Sequence, residues 1–216
     1  MGLYQQHGPW RDMARIEAVG LLDLDKFFKL APELTAKAAS MAINDTIRGK
    51  GMKLIRSKIM DEVAFSAEYL TGDRLAIGMY ATPENLAGVI VGRKRATSLA
   101  RFASGAPIGK AGVSVSVQRG RTRMLRKAFL VKLRRGPSVS EDSYNVGLAV
   151  RVQPGEDIAG KKDNSRKHWL VKDKVQLLYG PSVDQVFSTV AVEQAQAIAD
   201  ITAAEFDRQF ARLTSG

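Results

Sequence analysis

Residues 175–185 read VQLLYGPSVDQ, and within two positions they oblige the chain to change its secondary structure. Val175, Leu177 and Tyr179 stand at period two, the spacing of one face of a strand. Gly180 admits backbone angles closed to other residues, so a sharp turn is expected there. Pro181 has no amide hydrogen with which to continue a ladder. Ser182 is a good N-cap and Gln185 stands three positions on, which predicts a capping box. Asp184 adds negative charge in the first turn, where the helix dipole favours it. The joint Gly180, Pro181, Ser182 and Gln185 is thus expected to set the angle between the last strand and a terminal helix.

That helix is predicted over about 32 residues, with an apolar stripe through Val183, Val186, Val190, Ala197, Ile201, Phe206, Phe210 and Leu213. At 1.5 Å per residue it would be about 48 Å long, more than the ~30 Å of a small domain. Phe206, Phe210 and Leu213 are therefore expected to serve a contact with another chain.

Upstream, residues 1–30 are expected to form an arm. From Pro32 the pattern is helical, with Leu34, Ala38, Met41 and Ala42 on one stripe of small side chains that permits close packing by a neighbour. RGKG (48–51) interrupts it before MKLIRSKIMDEVA. RLAIGMYA and LAGVIVGR then read as a strand pair across the turn TPEN. VSVSVQRG (113–120), KAFLVKLRRG (127–136, with Phe129, Val131 and Leu133 on one face) and NVGLAVRV (145–152) alternate as further strands. The expected fold class is α+β: an antiparallel β-sheet, covered on one side, packed with a long N-terminal and a long C-terminal helix. The whole of 31–216 is read as one domain, with basic loops over 93–126 and 153–172 extending from the sheet.

Charge is distributed unevenly. No Asp or Glu occurs between Asn85 and Ser140, a stretch that holds 13 of the 33 Lys and Arg and leaves 20 basic against 22 acidic residues elsewhere. The whole positive excess of the chain lies in this segment, which points to a polyanion partner or an acidic neighbour. Its candidate contact residues are Arg93, Lys94, Arg95, Arg101, Arg119, Arg121, Arg123, Arg126, Lys127, Arg134 and Arg135. Arg119, Arg121 and Arg123 share one face if the strand continues past Gly120, and form a hairpin tip if it ends there. Guanidinium forks suit phosphate oxygens. Only Phe102 and Phe129 supply aromatic rings in the segment, too few for a base-stacking platform.

Three stretches occur in a particular order: the Ala-rich helix with AASMAIND, the strand KAFLVKL after a basic stretch, and LLYGPSVDQVF leading into the terminal helix. Together they resemble the minor tail protein Z and related tail-completion (neck) proteins of tailed bacteriophages, over about residues 30–213. The N-terminal extension and the acid-free stretch depart from that pattern. The resemblance implies a structural virion protein, without enzymatic activity, in a ring at the head–tail junction that joins the tail to the head connector. Its implied partners are copies of itself (six, or alternatively twelve), connector, tail terminator and tail tube proteins, and the genome DNA in the channel. It implies no membrane contact, and a location in the tail or neck of the virion and in the host cytoplasm during assembly. The alternative is a sequence-nonspecific nucleic-acid-binding protein using residues 93–135.

Catalytic and cofactor motifs are not expected. The chain has no Cys, and His7 and His168 lie apart without acidic or His neighbours at metal-ligand spacing. GAPIGKAG (105–112) fails as a phosphate loop: three residues separate its first two glycines of that motif where four are needed, and Ala111 replaces Ser or Thr. Asp61 and Glu62 are adjacent and would point about 100° apart on a helix. The start MGLYQQHGPWRDM lacks the features of a secretory signal, and no apolar run reaches the length of a membrane span. No cofactor or metal is therefore expected.

Overall fold

The computed structural model of the chain describes residues 29, 31–104, 110–133, 145–151 and 175–215. The N-terminal arm over 1–30 (Lys29 apart), the loop 153–172, Arg134, Arg135, His7 and His168 lie outside the described residues. The class is α+β, with antiparallel sheets and helices. The described residues group into two compact units: those within 1–60, 65–95 and 182–216, and those within 61–64 and 96–181. Each unit is assembled from segments distant in sequence, so no single Pro/Gly/Ser linker marks a boundary. One of the crossings falls between Pro181 and Ser182, inside the predicted joint.

The first unit contains helix α1 (Pro32–Arg48), helix α2 (Lys50–Glu62) as far as Met60, strands β1 (Leu75–Met79) and β2 (Val89–Gly92), and helices α3 (Val183–Glu193) and α4 (Ala195–Thr214). Pro32 opens α1, where its missing N–H costs nothing. The helix stops at Gly49 and α2 starts at once, so RGKG divides two helices as expected. β1 and β2 pair antiparallel, and TPEN closes the hairpin through Thr82 N–H to Asn85 O at 2.9 Å and Asn85 N–H to Thr82 O at 3.1 Å. At Gly92 the two backbones nearly touch: a Cβ there would stand 2.7 Å from Asp184 Cα.

The predicted terminal helix is two helices, divided at Gln194, whose φ −97° and ψ 7° leave the helical range. The break shifts the phase of the stripe, so the buried positions of α4 are Ile198, Thr202, Phe206 and Gln209, not Ala197 and Ile201. Ala38, Ala39 and Ala42 of α1 form a buried cluster with Phe206, which is 3% exposed, and Phe210 and Leu213 pack against it. Phe206, Phe210 and Leu213, expected to serve a contact with another chain, thus have cover within their own chain, complete at Phe206 and partial at Phe210 and Leu213. The close approach that the alanine stripe permits is to α4 of the same chain. With 20 residues α4 is about 30 Å long, and α1 with 17 is about 26 Å. Their lengths nearly match.

Polar groups join α4 to both α1, through Asp45, and α2, through Lys50. Arg208 donates from Nη2 to Asp45 Oδ2 at 2.7 Å and from Nε to Glu205 Oε2 at 2.6 Å. Gln209 Nε2 donates to the same Asp45 oxygen, and Lys50 Nζ lies 3.3 Å from Glu205 Oε1. The Arg208 guanidinium, ahead of Lys50, holds the Glu205 carboxyl below its ordinary range, against the opposing effect of burial.

The second unit is a six-stranded antiparallel sheet in the order β3-β8-β7-β6-β5-β4, from β3 (Thr97–Ser98), β4 (Ala103–Ser104), β5 (Ala111–Gln118), β6 (Arg121–Leu133), β7 (Asn145–Arg151) and β8 (Val175–Gly180). The stretch 93–126, expected as a basic loop, thus contributes β3, β4, β5, the start of β6 and a 3₁₀ turn at Leu99–Phe102. Val113, Val115, Ala128 and Leu148 form the buried core on one face, with Leu125, Leu130, Val150 and Leu178 packed against them. Antiparallel partners share a face. The pairs Phe129↔Ala149 and Ala149↔Leu177 therefore put Phe129, with Val131 and Leu133, on the opposite face from Ala128 and Leu148. The apolar face of KAFLVKL is real, but it is not the face of the main cluster. Both sides of β6–β8 carry apolar residues, where one covered side was expected.

Gly180 also departs from expectation. Positive φ occurs among the described glycines at Gly72, Gly112 and Gly120, not at Gly180. Gly180 ends β8 opposite Thr97, and a Cβ there would stand 3.1 Å from Leu99 Cδ2 and 3.4 Å from Phe102 Cε2. Room, not backbone angle, is what the glycine supplies. The capping box forms as read: Gln185 N–H donates to Ser182 Oγ at 3.1 Å and Ser182 N–H to Gln185 Oε1 at 3.0 Å.

Candidate partner-binding surface on the basic hairpin

The alternation of VSVSVQ makes β5, and Gly120, at φ +74°, lets the chain reverse after Arg119 and return as β6. The strand therefore ends before Gly120, and the basic residues gather at a hairpin tip and along its return strand. Arg119 sits in the turn. Arg121 pairs with Gln118 and donates to its Oε1 at 3.4 Å, while Arg123 lies opposite Val115. The hairpin is tied across by Ser116 and Thr122, whose hydroxyl oxygens stand 2.7 Å apart.

Further along, the pairing is irregular. Between the partners Val113↔Leu125 and Ala111↔Phe129 one residue intervenes on β5 and three on β6. Gly112, at φ +92°, absorbs the change on β5, and Arg126 and Lys127 fall in the irregular stretch of β6. Irregularities of this kind re-aim side chains. Arg126 and Lys127 are both exposed, directly beside the buried Ala128.

Arg119, Arg121, Arg123, Arg126 and Lys127 are thus brought together, exposed, on one hairpin. Among the described residues none of the five makes an ion pair. Residues 111–133 contain no Asp or Glu to neutralise them. The remaining candidates are placed elsewhere. Arg93 belongs to the first unit, where its guanidinium lies 3.7 Å from Asp73 and its backbone oxygen accepts from Asp184 N–H at 3.2 Å. Lys94 and Arg95 are exposed in that same unit, and Arg101 is exposed on the 3₁₀ turn of the second.

Sequence reasoning missed the apolar half of this surface. Met124 is 55% exposed beside the arginines. It borders a shallow groove of about 280 Å³ floored by Leu125, Ala128, Val150 and Leu178, with Arg123, Arg126 and Lys127 at its rim. The signal was the pair Met124-Leu125 inside the run RTRMLRK, but only the pairing of β6 with β7 and of β7 with β8 brings Val150 and Leu178 beside it. Among the described residues no group of three or more His, Asp or Glu is placed to hold a metal ion, and no helix is long and apolar enough to cross a membrane. The chain matches no family model, no curated protein and no solved structure.

Proposed function

We propose that the chain is a structural subunit of a tailed-bacteriophage virion, joining tail to head connector, and that it works by contact and not by catalysis. The observation that carries the contact is the set of five exposed cations on the β5–β6 hairpin, none in an ion pair among the described residues. Cations left without carboxylates on a hairpin are suited to an anionic surface. The virion assignment rests on the ordered resemblance of AASMAIND, KAFLVKL and LLYGPSVDQVF to tail-completion proteins. The same resemblance is what supports a ring of like subunits, six or alternatively twelve, with connector, terminator or tube proteins as neighbours. A reconstruction of an assembled particle tests it: density for this chain between connector and tail is the expected result, and its absence from the particle overturns the assignment.

The second reading is a sequence-nonspecific nucleic-acid-binding protein, favoured by the same arginines because forked donors fit phosphate oxygens. A phosphate-based contact loses affinity with salt by about 0.9 log units per log salt for each phosphate engaged, so titration of duplex binding across salt concentrations decides how many cations meet DNA.

A further inference from the structure

Taking the hairpin as the polyanion contact proposed above, we infer that its partner is an acidic polypeptide segment bearing an apolar anchor residue, and not the genome DNA. The cations alone do not distinguish the two, because carboxylates and phosphates both satisfy guanidinium donors. The groove does. Its floor of Leu125, Ala128, Val150 and Leu178 is wholly aliphatic, so it offers no aromatic ring on which a base could stack and instead suits an apolar side chain. Duplex DNA presents phosphates and sugars along its backbone and has no apolar side chain to insert. A protein does, and an apolar anchor in a pocket ringed by polar groups is the usual arrangement at the energetic centre of a protein interface.

Size and chemistry agree. About 280 Å³ lies below the range of about 300–1,000 Å³ for ligand pockets, suited to a side chain more than to a cofactor. Met124, half exposed at the margin, is an unbranched and polarizable side chain that adapts to irregular apolar partners. Arg123, Arg126 and Lys127 at the rim supply the charge that selects Asp and Glu around the anchor.

The test uses the full chain and three fluorescent probes: a twelve-residue Asp/Glu peptide with a central Leu-Phe pair, the same peptide with Ser-Ser at that pair, and a 20-bp duplex. Binding is followed by anisotropy at low and physiological salt. The Leu-Phe peptide is expected to bind at least about tenfold more tightly than the Ser-Ser peptide, the scale set by loss of an apolar group from a pocket. Met124→Ser, on an exposed side chain, is expected to lower Leu-Phe peptide affinity about fivefold and leave duplex binding unchanged. Arg126→Ser with Lys127→Ser is expected to weaken every probe. Equal affinity for the two peptides, or a duplex bound more tightly than either with no effect of Met124→Ser, overturns the inference while leaving the hairpin a polyanion site. Failure of all three probes to bind overturns both the inference and the contact reading beneath it.

Discussion

The carboxamide of Asn44 holds the main chain of Ala81 by both of its polar groups: its Nδ2 donates to Ala81 O at 2.9 Å, and its Oδ1 accepts from Ala81 N–H at 2.8 Å. One side chain of α1 thereby replaces the strand partner that Ala81, just past β1, does not have. Gly88, on the other arm of the hairpin, lies so close to α1 that a Cβ there would meet Ile43 Cγ2 at 2.7 Å. Ala81 is buried, so its amide and carbonyl depend on Asn44 in place of water. Asn44→Ala is expected to cost about 2–3 kcal/mol, since a buried polar group without a partner costs about 1–3 kcal/mol. Asn44→Asp keeps the acceptor and sets a carboxylate against the Ala81 carbonyl, so it should also destabilise. Urea denaturation of both variants checks this; a loss within about 0.5 kcal/mol, as for an ordinary surface change, would count against the bond.

Gly92 and Gly180 make a contrasting pair. A Cβ at Gly92 would run into backbone, Asp184 Cα at 2.7 Å, whereas one at Gly180 meets the flexible end of Leu99 at 3.1 Å. Gly92→Ala is expected to cost at least the about 1–3 kcal/mol of an overpacked core. Gly180→Ala should cost less than Gly92→Ala, and Gly180→Val more than Gly180→Ala, because added methyls press on Phe102 as well. Thermal unfolding of the three variants gives the order directly, and a Gly180→Ala loss larger than that of Gly92→Ala would contradict it.

Ser182 is 2% exposed and completes a reciprocal cap with Gln185. Ser182→Ala is expected to lower stability by about 0.5–2 kcal/mol. A double-mutant cycle with Gln185→Ala should show coupling, because each residue satisfies the other's backbone amide. Strict additivity would mean the box carries no joint energy.

The Glu205–Arg208 pair predicts a pH dependence. The folded carboxyl titrates below its ordinary value of 4.5 because Arg208 and then Lys50 favour the charged form. A depressed carboxyl pKa stabilises the fold above the unfolded value, and that contribution is lost as pH falls through the folded value. Glu205→Gln is therefore expected to be less stable than the parent at neutral pH. The gap should close below pH 4.5 as the parent carboxyl takes up its proton. A gap that stays constant from neutral to acid pH would show that charge at Glu205 does not contribute.

Replacing Arg119, Arg121 and Arg123 together by Ser removes three exposed side chains with no ion pair among the described residues. Stability should change by no more than about 0.5 kcal/mol per site, as for surface substitutions. Association with an anionic partner should weaken and become less sensitive to salt. Unfolding of the triple variant with unaltered binding would make these arginines structural.

Interactions that close within a few residues are written in the sequence. The capping box needs Ser and Gln three positions apart, the TPEN turn needs Thr82 and Asn85, and the Gly120 reversal needs one residue free to take positive φ. Tertiary structure decided the rest. Alternation places Phe129, Val131 and Leu133 on one face, but which face meets the main core follows from the irregular pairing of β5 with β6 and from register with β7 and β8. Helical periodicity continues through Gln194 in the sequence, since an apolar stripe does not register a single residue leaving the helical range. Phe206, Phe210 and Leu213 were plainly apolar, yet that their cover is Ala38, Ala39 and Ala42 depends on a helix more than 160 positions away. The same holds for Arg93, whose approach to Asp73 joins residues twenty positions apart. Short-range geometry is a property of neighbouring residues, whereas burial and charge pairing are properties of whatever the folded chain brings alongside.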